Sequence, residues 1–537
     1  MKKFNKSYIM LGLACAALTS CSDIADEITE LVFARNLSPV GIEAKNIGEE
    51  KATLNWAPNE KATAYVVEVF ADDSLSFAGT PQKTLTVTQP TANLTGLVYD
   101  TKYSARVKAV TDGDASRDSK WSGTYFRTSA QQLMKSFKEE NIADRSVTVT
   151  WDTEAVGNDL TTLRAFDNND KLVATKQLTA EEVAAGKAAI TGLNPETQYT
   201  IRMYNGEKER GNRPVTTIAD LNGATVVHPG DDIKSIIEEA TAGTVIACYG
   251  GEYDLNPLDD GGNGSVTVNA TITIKGIYPT NKPVLKGRFE MHTGAGLSLS
   301  QLVIDGSTNA TGDQTFNYKD KDIDYEALDL QDVEIKNFVK GICYGNVDNS
   351  TIEAITFNNC LIHDITCEGG DFFDIRKNYV KKVTFSNSTI YNVAQERDFI
   401  RYDDSSANYA DGAPVITVDH CTINNVLNVA KGKRLLYVRF VGNTINWTNN
   451  LLTNTQAIFS NQSKTTYPEF GNNNYYFGCN TDLFSADDEA SSPKVYYRGD
   501  TSSKNGEDPK YKDAANGDFT IGNDAVSKNK VGDPRWY

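Results

Sequence analysis

Short runs in which apolar and polar residues alternate fill the chain from residue 36 to about residue 218. "ATLNWAP", "AYVVEVF", "LTGLVYDTKYSARVKAV" and "SKWSGTYFRTS" follow one another with turn residues between them. Period-two runs of this kind predict β-strands with one buried face, and several in succession predict a β-sandwich. The scheme occupies residues 36–129 and returns over 130–218, where "SVTVTWD" and "ITGLNPETQYTIRMY" hold the matching places. Between residues 152 and 190 the second copy loses its pattern. Trp56 and Trp151 fall in the first long strand of each module and belong to its core, whereas Trp121 is exposed by pattern.

Past residue 218 the pattern changes. "DDIKSIIEEATAGTVIACYGGEYDL" puts Ile233, Ile236 and Ile237 on one face of a short helix, capped by Asp231 or Asp232 and stopped by Gly243. One template then recurs: alternating apolar residues, a turn-forming polar residue, and a second apolar run. It fits "LSLSQLVI" at 297, "LDLQDVEI" at 328, "ITFNNCLI" at 355, "VTFSNSTI" at 383, "ITVDHCTI" at 416 and "INWTNNLL" at 445. A weaker match, "ITIKGIYP" at 272, precedes them. Such a period predicts a solenoid of stacked coils. Strands of successive coils lie about 4.8 Å apart, so equivalent residues form ladders. Phe357, Phe385, Val418 and Trp447 are the expected internal ladder. Asn359, Asn387, His420 and Asn449 are the ladder expected at a turn, where an amide reaches neighbouring backbone. His420 then reads as a substitute in an asparagine ladder in preference to a catalytic base.

Three further segments occur once per coil: "DFFDIRKN" at 371–378, "DFIRYDD" at 398–404 and "LLYVRF" at 435–440. Superposed on their arginines, they place Arg376, Arg401 and Arg439 in one column. Alternation along a strand adds Asp374, Phe399 and Tyr437 to that face and turns Ile375, Ile400 and Val438 inward. It also sends Asp398 inward, which is costly unless the strand starts later or a buried donor meets the carboxylate. Three readings stay open. In the first, Asp374, Asp403 and Asp404 interleave with the arginines and the array is structural. In the second, Arg376, Arg401 and Arg439, with Asp374, Phe399 and Tyr437, hold an acidic ligand, because guanidinium groups grip carboxylates through paired hydrogen bonds. In the third, Arg401 or Arg376 is the base of an elimination and Asp374, Asp403 and Asp404 hold a calcium ion.

Composition narrows the partners. The 537 residues carry a net charge of −18, which argues against nucleic acid. The four histidines, 228, 292, 363 and 420, show no zinc spacing. Lys2, Lys3 and Lys6 precede the apolar run "YIMLGLACAALTSC", too short for a membrane span and suited to a signal peptide. Beyond it lie Cys248, Cys343, Cys360, Cys367, Cys421 and Cys479, several inside apolar strand patterns where buried free thiols are expected.

"LTSC", ending at Cys21, resembles a bacterial lipobox, and the acidic "SDIADEITE" behind it resembles the export tags of Bacteroidetes surface lipoproteins. The resemblance implies lipidation of Cys21 and an outer-membrane, surface-exposed location. Leu97 with Tyr103, and "GLNPETQY" in the second module, resemble fibronectin type III domains. The coils resemble the pectate-lyase-like superfamily. "DFFDIR", "RDFIRYD", "LLYVRF" and "DPKYKDAANGDFTI…VGDPRW" resemble β-helical lipoproteins of Bacteroidetes polysaccharide-utilisation systems. The resemblance implies a polysaccharide partner, with an acidic, pectin-like plant glycan favoured, and an outer-membrane uptake complex. The expected fold class is all-β: two β-sandwiches followed by a right-handed parallel β-helix. The expected domains are a signal peptide 1–20, a tether 21–35, the modules 36–129 and 130–218, and the β-helix 219–537. The expected function is capture of that glycan, with a calcium-dependent lyase or an adhesive scaffold as alternatives.

Overall fold

The computed structural model describes residues 35–537 except 158, 257–262, 309–311, 430 and 472. The leader and Cys21 lie outside the described residues. Among the described residues no helix is long and apolar enough to cross a membrane. The chain forms two compact units, one holding the first sandwich with residues 204–211, the other residues 134–203 and 212–537.

The first sandwich packs a three-stranded sheet, Glu43–Lys45, Lys51–Asn55 and Thr91–Thr95, against the four-stranded sheet of Lys83–Val87, Ala64–Ala71, Lys102–Val110 and Ser122–Arg127. Trp56 sits in its core edge-on to Tyr65, as the alternating pattern predicts. The Tyr103 hydroxyl accepts the Val98 N–H at 2.8 Å, pinning the corner that Leu97 begins. Trp121 is not a free platform, because the Arg106 guanidinium lies 4.6 Å from its ring.

The second sandwich keeps the four-stranded sheet but reduces its partner to Ser146–Thr150 and Lys187–Thr191. Two short helices, Thr153–Val156 and Ala180–Ala185, account for the lost alternation between 152 and 190. Asp152 and Thr179 cap them, each accepting backbone N–H groups of the first turn. The corner is retained, with the Tyr199 hydroxyl accepting the Asn194 N–H at 3.0 Å.

Residues from Thr225 on wind into a parallel β-helix. Two nine-stranded sheets run from Thr225–Val227 to Thr444–Thr448 and from Gly251–Asp254 to Tyr475–Cys479, and a seven-stranded sheet runs from Ser265–Val268 to Leu436–Val438. Each template match is a strand of the first sheet, one turn, and a strand of the second; "ITIKGIYP" contributes the coil before them. Phe357, Phe385, Val418 and Trp447 are in register inside, with Phe357 and Phe385 stacked at 4.7 Å. The turn between the two sheets needs a left-handed residue: φ is 54° at Asn359, 49° at Asn387, 51° at His420 and 56° at Asn449. Asparagine tolerates this region better than most residues, which explains its recurrence. The six cysteines of the β-helix are buried and free, as the strand patterns predict for several of them.

The second sandwich closes on the first coils. Ile218 packs with Ala247, Ile277 and Tyr278, and the Ala219 N–H donates to the Ile277 carbonyl at 3.3 Å. Ala247 follows the inward Ile246 and therefore faces out of the first sheet, yet it is fully buried.

Residues 507–537 run back over the outer face of the second sheet. Phe519, in the hairpin of Tyr511–Asp513 with Asp518–Ile521, meets Tyr391 at 5.1 Å. Asp533 accepts from the Thr389 hydroxyl at 2.7 Å and donates its N–H to Thr422 at 2.9 Å, while Arg535 donates to the Asn359 carbonyl at 2.7 Å. Tyr391 stacks in turn on His363 at 4.7 Å. The two ring nitrogens of His363 face Asp364 at 2.7 Å and Glu334 at 3.2 Å.

Candidate functional site

The charged segments meet on the outer face of the seven-stranded sheet, in a register different from the one that superposed arginines imply. Phe373 pairs with Ile400 and Ile400 with Leu436, so Asp374, Arg401 and Tyr437 form one column. Continuing the register two residues on, Arg376, Asp403 and Arg439 form the next. Two residues before the buried Phe373, Ile400 and Leu436 stand Asp371, Asp398 and Arg434. The result is a three-by-three array: the Arg376–Asp403–Arg439 column alternates in sign, Asp374 and Arg401 are opposite and lead to the neutral Tyr437, and Asp371 and Asp398 are like-charged before Arg434.

This corrects the single arginine ladder. Three stacked guanidinium groups about 4.8 Å apart would repel one another. The alternating register lets each find carboxylates instead. Arg401 stands at the centre, donating to Asp403 at 2.9 and 3.1 Å and to Asp371 at 3.2 Å, with Asp374 at 3.8 Å. Arg376 forks onto both Asp374 oxygens. Arg439 reaches Asp403 at 3.2 Å.

Asp398 resolves as the alternation demands. The strand begins at Ile400, and the buried carboxylate accepts both the backbone N–H and the Nε of Arg434 at 2.9 Å. Arg434 was not singled out by sequence, although the spacing of "RLLYVR" matches that of "DFFDIR" and "DFIRYD" and carries the signal.

Phe399 is a second correction. It precedes the strand and points inward, stacked on Phe372 at 4.9 Å, so it offers nothing to a ligand. Ile375, Ile400 and Val438 do point inward as expected. Tyr437 stays on the outer face, partly exposed, and three guanidinium carbons surround its ring: Arg434 at 4.3 Å, Arg401 at 5.2 Å and Arg439 at 5.2 Å.

Burial and neighbouring charges shift three groups of the array. Burial works against the charge on Arg401, but Asp403 and Asp371 outweigh it and raise its pKa. The bond to Asp374 raises that of Arg376. Burial lifts the Asp371 carboxyl, and the neighbouring Asp398 and Asp374 add to the lift.

The three carboxylates considered for calcium are not gathered together. Asp374 is 0% exposed and engaged by Arg376, Asp403 is shared by Arg401 and Arg439, and Asp404 meets Lys464 and Ser406. Among the described residues no group of three or more His, Cys, Asp or Glu side chains is placed to hold a metal ion. The "RGD" at 498–500 is also structural: Arg498 pairs with Asp487, and the buried Asp500 accepts the Tyr476 hydroxyl at 2.9 Å.

Comparison with known proteins adds the following. Residues 37–123 match the fibronectin type III domain family. Residues 251–393 match a domain of unknown function, DUF4957, and residues 416–536 another, DUF5123. The array thus draws one row from each of these two regions and its middle row, Asp398 to Asp403, from the stretch between them. Tenascin of Gallus gallus is 26% identical over 212 residues, which is 38% of this chain and 11% of tenascin's length. A two-domain fibronectin type III segment from chicken tenascin is similar at 17% identity, covering 33% of this chain and 97% of that one with a TM-score of 0.24. A fibronectin type III domain of human collagen alpha-1(XX) covers 20% of this chain and 99% of that one, at 18% identity and a TM-score of 0.17.

Proposed function

We propose that this chain is a cell-surface lipoprotein, anchored through Cys21, that holds an acidic polysaccharide on the Tyr437 face for an uptake system of the kind its sequence resembles. One observation carries the reading: three guanidinium groups converge on a single, partly exposed aromatic ring. A sugar laid on that ring brings its carboxylate to donors already held in place by Asp398 and Asp403, so little side-chain entropy is lost on binding. The site residues are Tyr437, Arg401, Arg434 and Arg439. Arg376 and Asp374 support them from the coil below.

Binding is favoured over elimination. A lyase needs a base that is deprotonated before it takes the substrate's proton, whereas the carboxylates around Arg401 and Arg376 favour the protonated form of both. It also needs calcium ligands, and Asp374, Asp403 and Asp404 are each engaged by basic side chains.

Retention on immobilised polygalacturonate tests the proposal, with absorbance of unsaturated sugar ends followed in calcium and in chelator. The expected result is retention without absorbance, weakened about tenfold or more, or ~1.4 kcal/mol, by Tyr437→Ala and by Arg439→Ala. Absence of retention on every acidic glycan tried would sink the binding reading. Calcium-dependent absorbance would replace it with the lyase.

A further inference from the structure

Counted coil by coil, the array is asymmetric along the helix axis. The 371–376 row holds two aspartates and one arginine, and the 398–403 row again holds two aspartates and one arginine. The 434–439 row holds two arginines and no acid, and Lys431 and Lys433 stand in the turn that enters it. Toward the N-terminal coils the charges pair off. Lys319 lies 3.4 Å from Glu290, Lys340 lies 3.0 Å from Asp313, and Arg288 bridges Glu290 at 3.2 Å and Asp313 at 3.4 Å. The intervening strand presents Tyr344, in register with Asp374, and no charge. Beyond the Tyr437 row, Arg434 meets the neutral Asn461 at 3.3 Å.

We infer that the site binds one anionic sugar per contact, so that its ligand is a mixed glycan in which acidic sugars stand among neutral ones, not a uniform polyuronate. The inference rests on the binding reading above. A chain lying along the axis advances about one coil per sugar. With its first carboxylate among Arg401, Arg434 and Arg439, a polyuronate would bring the next two over rows that each carry one surplus aspartate. Those aspartates are largely buried, where like-charge repulsion is poorly screened. A neutral sugar meets no such penalty there, and one coil beyond those rows Tyr344 offers a second ring. On the other side, Asn461 offers an amide.

The test compares two forms of one polymer on the full chain: polygalacturonate, and the same polymer with most of its carboxylates methyl-esterified. Affinity is measured at low and at high salt, with a fully esterified form as neutral control. The sparse acid is expected to bind at least tenfold more tightly per chain than the full acid, with a shallow salt dependence, and the neutral control to bind poorly. If affinity instead climbs with every free carboxylate and falls steeply with salt, the site reads a polyanion; the inference fails and the binding reading survives. If neither acid binds better than the neutral control, the binding reading fails and takes the inference with it.

Discussion

The two sandwiches share a corner tyrosine and a core tryptophan, yet they solve different problems. The first completes both of its sheets and forms a compact unit distinct from the β-helix. The second gives up strands from one sheet and, apart from residues 204–211, joins the unit of the β-helix, where Ile218 covers Ala247, Ile277 and Tyr278. A module can therefore keep the signature of its family and still stop being independent. The helix Ile233–Glu238 packs Ile233 and Ile237 into the core of the first coils, and the neighbouring module covers the outward apolar patch of Ala247, Ile277 and Tyr278. The second sandwich is less a spacer than a lid on the solenoid.

Truncation breaks this comparison most directly. A chain lacking residues 36–129 is expected to keep a folded β-helix and its glycan retention. One lacking residues 36–218 exposes Ile277 and Tyr278 and is expected to aggregate or lose its melting transition altogether. Equal behaviour of the two truncations, seen by circular dichroism and light scattering, would overturn the assignment of the second sandwich to the solenoid.

A smaller effect separates the units within one chain. Trp56→Ala and Trp151→Ala each empty a core and should cost about 3–5 kcal/mol. Calorimetry should show Trp56→Ala lowering only the transition of the first sandwich. Trp151→Ala should lower the transition that also contains the β-helix.

The smallest effect is a pH dependence confined to one unit. All four histidines lie in the second unit. Burial works against the charge on His363, but Glu334 and Asp364 outweigh it and raise its pKa above the ordinary 6.5. The charged ring therefore stabilises the fold fully below that ordinary value, and the contribution fades as pH rises through the raised one. Glu334, held at about 2 chiefly by His363, keeps its share until the pH falls from its ordinary 4.5 toward that value. As pH rises above the ordinary 6.5 of His363, the second transition should move to lower temperature while the first stays in place, and His363→Gln should flatten the difference.

The coils were legible because their determinants are local. A left-handed turn asks for asparagine once per coil, and an internal ladder asks for like-sized apolar residues at the same interval. The array was only half legible. Its rows are offset by 27 residues and then by 36, so no constant period fixes the register. Matching like to like chose Arg376, Arg401 and Arg439, whereas neighbouring charges prefer unlike to unlike, which sets Arg401 against Asp371 and Arg434 against Asp398. The lid was not legible at all. Ala247 and Ile277 read as ordinary strand and turn residues until the surface that covers them is known.

The strap of residues 507–537 changes how the solenoid comes into being. Coils that touch only their neighbours can form in any order and be lost from either end. Asp533 and Arg535 instead bind to coils made 111 to 176 residues earlier, at Thr422, Thr389 and Asn359. A chain emerging in sequence can stack those coils long before the strap exists, but with one flank still open. Closure then arrives as a single late event that turns a stack of separable layers into one body that opens as a whole.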